Sequence, residues 1–343
     1  MTKALITGIT GMAGSHLADY LLKNTNWDVY GVARWRSSLD NIQHLLERVN
    51  NNDKLFMRYG DMNDQVSLIT ILTEVKPDYI FHLAAQSYPL AGIKAPIDTL
   101  NINILGTASL LESVKVLNQN PIIHVCSSNA IFCMSPYGNL SVNPTSIYAI
   151  SETCKDLLGR YYAEAYNMHV MTTKTCVHTG PRRGDVFAES AFAKKIVMIE
   201  DGLSAPVIEV DNLDLVCTWA DVRDIARAYY MLVTVKPLSG AYYDMVGTHT
   251  CKLGDVLDIL LSFSTVKDIK VKYTRKSLSN VVDVQTSDFN KFGSHTGWAP
   301  EYTFEQTMSD LLDYWRRKLK GKSRVMNFET YRLRDAVKKQ MIR

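Results

Sequence analysis

A chain of 343 residues, 46% of them hydrophobic, is long enough to bury a large core, and a formal net charge of +3 supplies no field of the kind that holds a nucleic-acid backbone. No apolar run approaches the roughly 20 residues that span a bilayer, and the N-terminus lacks the charged-then-apolar layout of a secretory leader, so neither nucleic acid nor membrane is an expected partner. Six cysteines without a C-x-x-C pair read as buried free thiols, which suits a cytoplasmic protein.

Strand-like runs at 3–7, 27–33, 55–59, 79–84, 122–126 and 168–176 alternate with helical periodicity at 15–23, 65–74, 99–117 and 147–166. That alternation predicts an α/β fold, a Rossmann-type doubly wound parallel sheet. Beyond Pro181 the order loosens, with punctuation at Gly202, Pro206, Pro237 and Gly240, and a smaller C-terminal substrate lobe sharing elements with the sheet is expected there. The division expected is 1–180 for the cofactor domain, 181–320 for the substrate lobe and 321–343 for a helical extension. The Lys and Arg residues of that extension read as a solvated helix or a partner-docking one.

Gly8-Ile9-Thr10-Gly11-Met12-Ala13-Gly14 follows the first strand and opens the first helix. Glycine at 8, 11 and 14 permits a tight turn and lets backbone, including that of Thr10 and Met12, approach a pyrophosphate resting on the helix N-terminus. At the end of the second strand, where an acidic residue would select NAD, the chain has Arg34, Arg36 and Ser37. Two guanidinium groups and a hydroxyl suit a 2'-phosphate, so NADP is preferred, with NAD possible; a solvated basic loop or a subunit contact is the plainer alternative. Asp61 and Met62 follow the third strand, Asp61 placed for an adenine or merely for a turn cap. The small residues Leu83-Ala84-Ala85-Gln86-Ser87 end the fourth strand, leaving room for the nicotinamide half or simply packing tightly. Tyr148 and Glu152 are four apart on a helix and share a face. An ionised carboxylate there raises the phenol pKa, against what a tyrosinate base needs. His124 and His178 stand alone without ligand spacing, and no metal is expected.

These residues, with His178-Thr179-Gly180-Pro181-Arg182-Arg183-Gly184-Asp185-Val186-Phe187, Phe192-Ala193-Lys194-Lys195 and Trp219-Ala220-Asp221-Val222-Arg223-Asp224, carry a resemblance. Over roughly residues 1–318 the chain is similar to extended short-chain dehydrogenase/reductases, and more narrowly to the GDP-mannose 4,6-dehydratase group and related enzymes of GDP-deoxyhexoses and GDP-heptoses. The resemblance implies cofactor contacts from Asn103, Tyr148 and His178 besides those above. It implies contacts to a GDP-linked nucleotide sugar from Gln86, Ser128, Thr179, Arg182, Arg183, Phe192, Lys194, Lys195 and Arg223. It also implies a dimer or tetramer built on the 99–117 and 147–166 helices, either of this chain alone or with an intact paralogue.

Relatives oxidise the sugar at C4 with a tyrosinate base, and dehydratases then use a glutamate at C5. By the same resemblance Ala130 occupies the glutamate position and Glu152 the lysine of Tyr-x-x-x-Lys, while Lys155 sits two turns from Tyr148. Cys217 and Asn280 replace two phosphate-binding arginines, and the 133–147 segment is shorter than in relatives. Two functions are expected. One is a dinucleotide-binding, catalytically degenerate member, a silent or regulatory partner of an active paralogue. The alternative is an active nucleotide-sugar oxidoreductase, epimerase or dehydratase with rearranged acid/base groups, using Tyr148, Ser128 and Glu152.

Overall fold

Seven strands form one parallel sheet: β1 (Lys3–Thr7), β2 (Asp28–Ala33), β3 (Leu55–Tyr59), β4 (Tyr79–His82), β5 (Ile122–Ser128), β6 (Val170–Thr175) and β7 (Tyr242–Met245). Their order is β3-β2-β1-β4-β5-β6-β7, and every pairing is parallel. Strand order reverses between β1 and β4, which opens a crevice at the carboxyl ends of the strands. The computed structural model describes residues 1–134, 140–142, 144–245, 247–274 and 290–323, with the side chains at 131–134, 140–142, 290 and 321–323 excepted. Asn280, part of the 133–147 segment and most of the C-terminal extension therefore lie outside the described residues.

The longer helices are α1 (Met12–Asn24), α2 (Gln65–Val75), α3 (Gly106–Val116), α4 (Ile147–Tyr166), α5 (Ala188–Glu200), α6 (Val222–Thr234), α7 (Leu253–Ser262) and α8 (Phe304–Ser323), and of these α1, α2, α3, α4 and α6 cover the sheet. β6 is buried at every position although it reads Val-Met-Thr-Thr-Lys-Thr, because helices lie on both faces. Side chains start several helices. Asp64 accepts from Val66 N at α2, Ser146 from Ala149 N at α4, and Asp221 from Arg223 N at α6. Asn167 in the left-handed region ends α4.

The helix expected over 99–117 is present without a break but changes pitch within it. Pro96–Leu100 is α-helical, Asn101–Leu105 is a π turn, and α3 resumes at Gly106. Gly106 is pressed on Met62, where an added Cβ would lie 2.6 Å from that side chain, and Asn103 turns its amide away to bond Gln86. A one-residue π insertion leaves hydrophobic periodicity nearly intact, so the pattern alone does not reveal it.

α6, β7 and Phe292 return from the second half of the chain to the core of the large sheet, through Ile225, Tyr229, Tyr243 and Met245. A separate core gathers α5, α7 and α8 around Phe192, Ile196, Trp219, Leu257, Leu311 and Trp315. Among the described residues no helix is long and apolar enough to cross a membrane.

Candidate active site

The turn after β1 is shaped by contact with β4. Gly8 has φ +76°, and a Cβ there would meet Ala84 N at 2.8 Å; one on Gly14 would sit 2.3 Å from the Gly8 carbonyl oxygen. Gly11 N donates to that carbonyl at 2.9 Å. No side chain caps α1, so its first amides are left for an anion. The carbonyls of Thr10 and Met12 accept from Asn41 and Ser15 at 3.0 and 2.9 Å, which fixes the loop. This cradle fits the diphosphate of a dinucleotide.

At the end of β2, Ser37 closes a turn by accepting from Arg34 N at 3.1 Å while its own N donates to the Arg34 carbonyl at 2.9 Å. Arg34 and Arg36 are both exposed, and neither makes an ion pair among the described residues. Asp61 Oδ1 accepts from Asn63 N at 3.1 Å, so one of its oxygens serves the turn. Met62 is a core side chain, and only its backbone can meet a ligand. Leu83, Ala84 and Ala85 are partly buried beyond β4, and Ser87 is exposed.

A buried relay joins this end of β4 to the π turn. Ala84 N donates to Thr7 Oγ1 at 3.2 Å, Thr7 to His82 Nδ1 at 2.8 Å, His82 Nε2 to Thr107 Oγ1 at 2.9 Å, and Thr107 to the Asn103 carbonyl at 2.6 Å. The donor order fixes the imidazole as neutral with its proton on Nε2, and burial holds its pKa well below the usual range. Asn103 carries the relay on. Its Oδ1 accepts from Gln86 N at 2.8 Å, and its Nδ2 faces Ser151 Oγ, the Gln86 carbonyl and Glu152 Oε1 at 2.9, 3.1 and 3.4 Å.

Glu152 is buried and pairs with Lys155 Nζ at 3.3 Å, each side chain at most 3% exposed. Burial raises the Glu152 carboxyl above the usual range, and Lys155 offsets this only in part. Lys155 points inward, where its charge also bears on His82, His124 and Cys126. Tyr148 is partly buried, and its phenol is pushed far up, first by burial and then by Glu152; a hydrogen bond from Ser128 and the more distant Arg183 oppose this only weakly. Ser127 Oγ donates to the Glu152 carbonyl at 2.8 Å, tying α4 to the end of β5. Ala130 is exposed, and its methyl group cannot carry a proton.

The cations across the crevice are spoken for. Arg182, at φ +70°, pairs with Asp19 of α1, and Arg183 Nε pairs with Glu189 at 2.9 Å while its guanidinium lies 3.4 Å from the Phe187 ring centre. Lys194 pairs with Asp185 at 2.6 Å, and Lys195 bonds Ser204. Arg223 bridges Asp221 and Asp310 at 2.7 and 2.6 Å, joining the start of α6 to α8. Phe192 and Cys217 belong to the second core, Cys217 directly opposite Cys251 in the antiparallel pair. His178 Nδ1 donates to the Cys176 carbonyl at 3.0 Å, and burial with the Arg183 charge lowers its pKa to about 4. Three buried polar atoms on this side have no partner: Gln86 Oε1, Thr179 Oγ1 and a guanidinium nitrogen of Arg182.

The structure thus gathers Tyr148, Ser128, Glu152, Asn103 and Gln86 around the ends of β4 and β5. Thr7, His82, Ser127 and Ser151 complete the network and carry no motif signal. The Glu152–Lys155 pair does carry one, since residues three apart on a helix are neighbours.

The sequence pattern of the family described as GDP-mannose 4,6 dehydratase matches residues 5–311. The GDP-mannose 4,6-dehydratase of Yersinia enterocolitica is 26% identical over 351 residues, covering 91% of this chain and 93% of that protein. Among solved structures, RMD from Pseudomonas aeruginosa complexed with NADPH has a TM-score of 0.78 at 23% identity, over 93% of this chain and all of that one. The dTDP-glucose 4,6-dehydratase of Bacillus anthracis in complex with NAD has a TM-score of 0.76 at 20% identity, over 93% and 98%. By the span of the family match, over a shared short-chain dehydrogenase/reductase architecture, the chain belongs to the GDP-mannose 4,6 dehydratase family.

Proposed function

We propose that this chain is an NADP-binding member of the nucleotide-sugar dehydratase/epimerase family that does not perform ordinary 4,6-dehydration and serves an active paralogue as a silent or regulatory partner. The observation that carries the reading is a Tyr148 phenol held protonated, first by burial and then by the adjoining Glu152, which is itself tied to Lys155. The glycine cradle and the unpaired Arg34 and Arg36 support retained cofactor binding. The paired Arg182, Arg183, Lys194 and Arg223 and the methyl of Ala130 support a weakened sugar-nucleotide site without a C5 base. Native mass spectrometry of the purified protein should find NADP(H). Incubation with GDP-mannose and NADP+ should yield no 4-keto sugar; rapid, Tyr148-dependent formation of one would overturn the reading.

A second reading rests on Ser128 standing beside Tyr148 and on the unpartnered Gln86 Oε1 and Thr179 Oγ1, atoms that sugar hydroxyls could satisfy. In it the chain is an oxidoreductase or epimerase of a GDP-linked sugar, with Glu152 as proton acceptor. Glu152→Gln should then abolish turnover, and an unaltered rate would remove that role.

A further inference from the structure

A dinucleotide anchored on the glycine loop extends across the reversal of strand order, so its second nucleoside lies over the carboxyl ends of β4 and β5. Glu152 stands between those two ends. Gly8 abuts Ala84 after β4, Gln86 bonds Asn103, Asn103 bonds Glu152, and Ser127 at the end of β5 bonds the Glu152 carbonyl. The charge there has a direction. Lys155 lies behind the carboxylate, toward His82 and His124 in the sheet, while Tyr148 lies on the carboxylate's own helix face. Both hydrogen bonds to the carboxylate fall on Oε1.

We propose that Glu152 selects the redox state of the bound nicotinamide cofactor, favouring the oxidised form. The oxidised ring carries a positive charge and the reduced ring none, so a nearby carboxylate in a partly dry site attracts one form and not the other. A lysine at the same place would act in the opposite sense. The ammonium behind Glu152 cancels part of the field, and the discrimination expected is about tenfold. The inference rests on the dinucleotide-binding reading and adds which form is held.

The test is equilibrium titration of the full chain with NADP+ and NADPH, repeated with NAD+ and NADH, followed by calorimetry. The quantity read is the ratio of the reduced-form to the oxidised-form dissociation constant. Glu152→Gln should lower it about tenfold and Glu152→Lys further. The single variants leave Lys155 without its counter-charge, which destabilises the fold, so the double variant Glu152→Gln/Lys155→Met, which has no unpaired buried charge, is measured beside them. Its ratio should fall too, because the carboxylate is the nearer of the two charges. An unchanged ratio in the folded variants overturns the redox selectivity while dinucleotide binding stands. Failure of the unaltered chain to bind any of the four overturns both.

Discussion

Glu152 and Lys155 are each nearly dry, so neither charge is tolerable without the other. Glu152→Gln leaves a buried ammonium with a neutral partner and should cost about 3 kcal/mol in urea unfolding, whereas Glu152→Gln/Lys155→Met should recover most of it. The same single change removes the second-largest influence on Tyr148, so the phenol should titrate lower, followed by its ultraviolet difference spectrum, although burial will still hold it above an ordinary tyrosine. The spacing of residues 152 and 155 was legible, and so was the conflict between Glu152 and Tyr148. That both charges are sealed beneath the crevice was not, because burial is set by packing of α4 on β5 and β6, which spacing does not encode.

The strands at 3–7 and 55–59 and the helix at 147–166 were readable to their ends, since apolar runs and a Ser146 cap mark them sharply. β4 stops at His82, before the small residues that continue the apolar pattern, and the π turn at Asn101–Leu105 hides within one helical period. The glycine loop depends on backbone-to-backbone fit. Gly14→Ala would set a methyl group 2.3 Å from the Gly8 carbonyl oxygen, so α1 must move and cofactor affinity should fall at least tenfold by titration, with the far-ultraviolet spectrum unchanged. α4 also bears Ile150, Leu157 and Tyr161 at 38, 52 and 55% exposure on one stripe, with Leu105 at 58% on the neighbouring turn. Such a face suits a second copy or an intact paralogue. Leu157→Glu should shift the light-scattering mass toward the monomer; an unchanged mass removes this face from any assembly.

Across the whole molecule, four histidines desolvated by the fold make it sensitive to acid, His82 and three more. Burial, aided by Arg182 at His16, Arg183 at His178 and Lys155 at His124, lowers the pKa values of those three to about 4, 4 and 3. The unfolded chain takes these protons near pH 6.5 and the folded one only below about 4, so stability is full above pH 6.5 and falls as the pH drops between those values. Each histidine can withdraw up to about 3 kcal/mol. His16→Gln, which keeps a donor for the Pro181 carbonyl, should flatten the decline of melting temperature over that interval. The parallel architecture was legible because both faces of the sheet are covered and its strands read as apolar runs. The pairing of Arg182 with Asp19 and of Arg223 with Asp310 was not, since these partners come from distant parts of the chain. With those guanidinium and ammonium groups neutralised at home, one side of the crevice keeps only Lys195 without a carboxylate partner among the described residues, while the other keeps Arg34 and Arg36 so. Added salt should therefore slow the arrival of a phosphorylated cofactor at Arg34 and Arg36, measured by stopped flow, and leave the approach of a sugar nucleotide from the opposite side almost untouched.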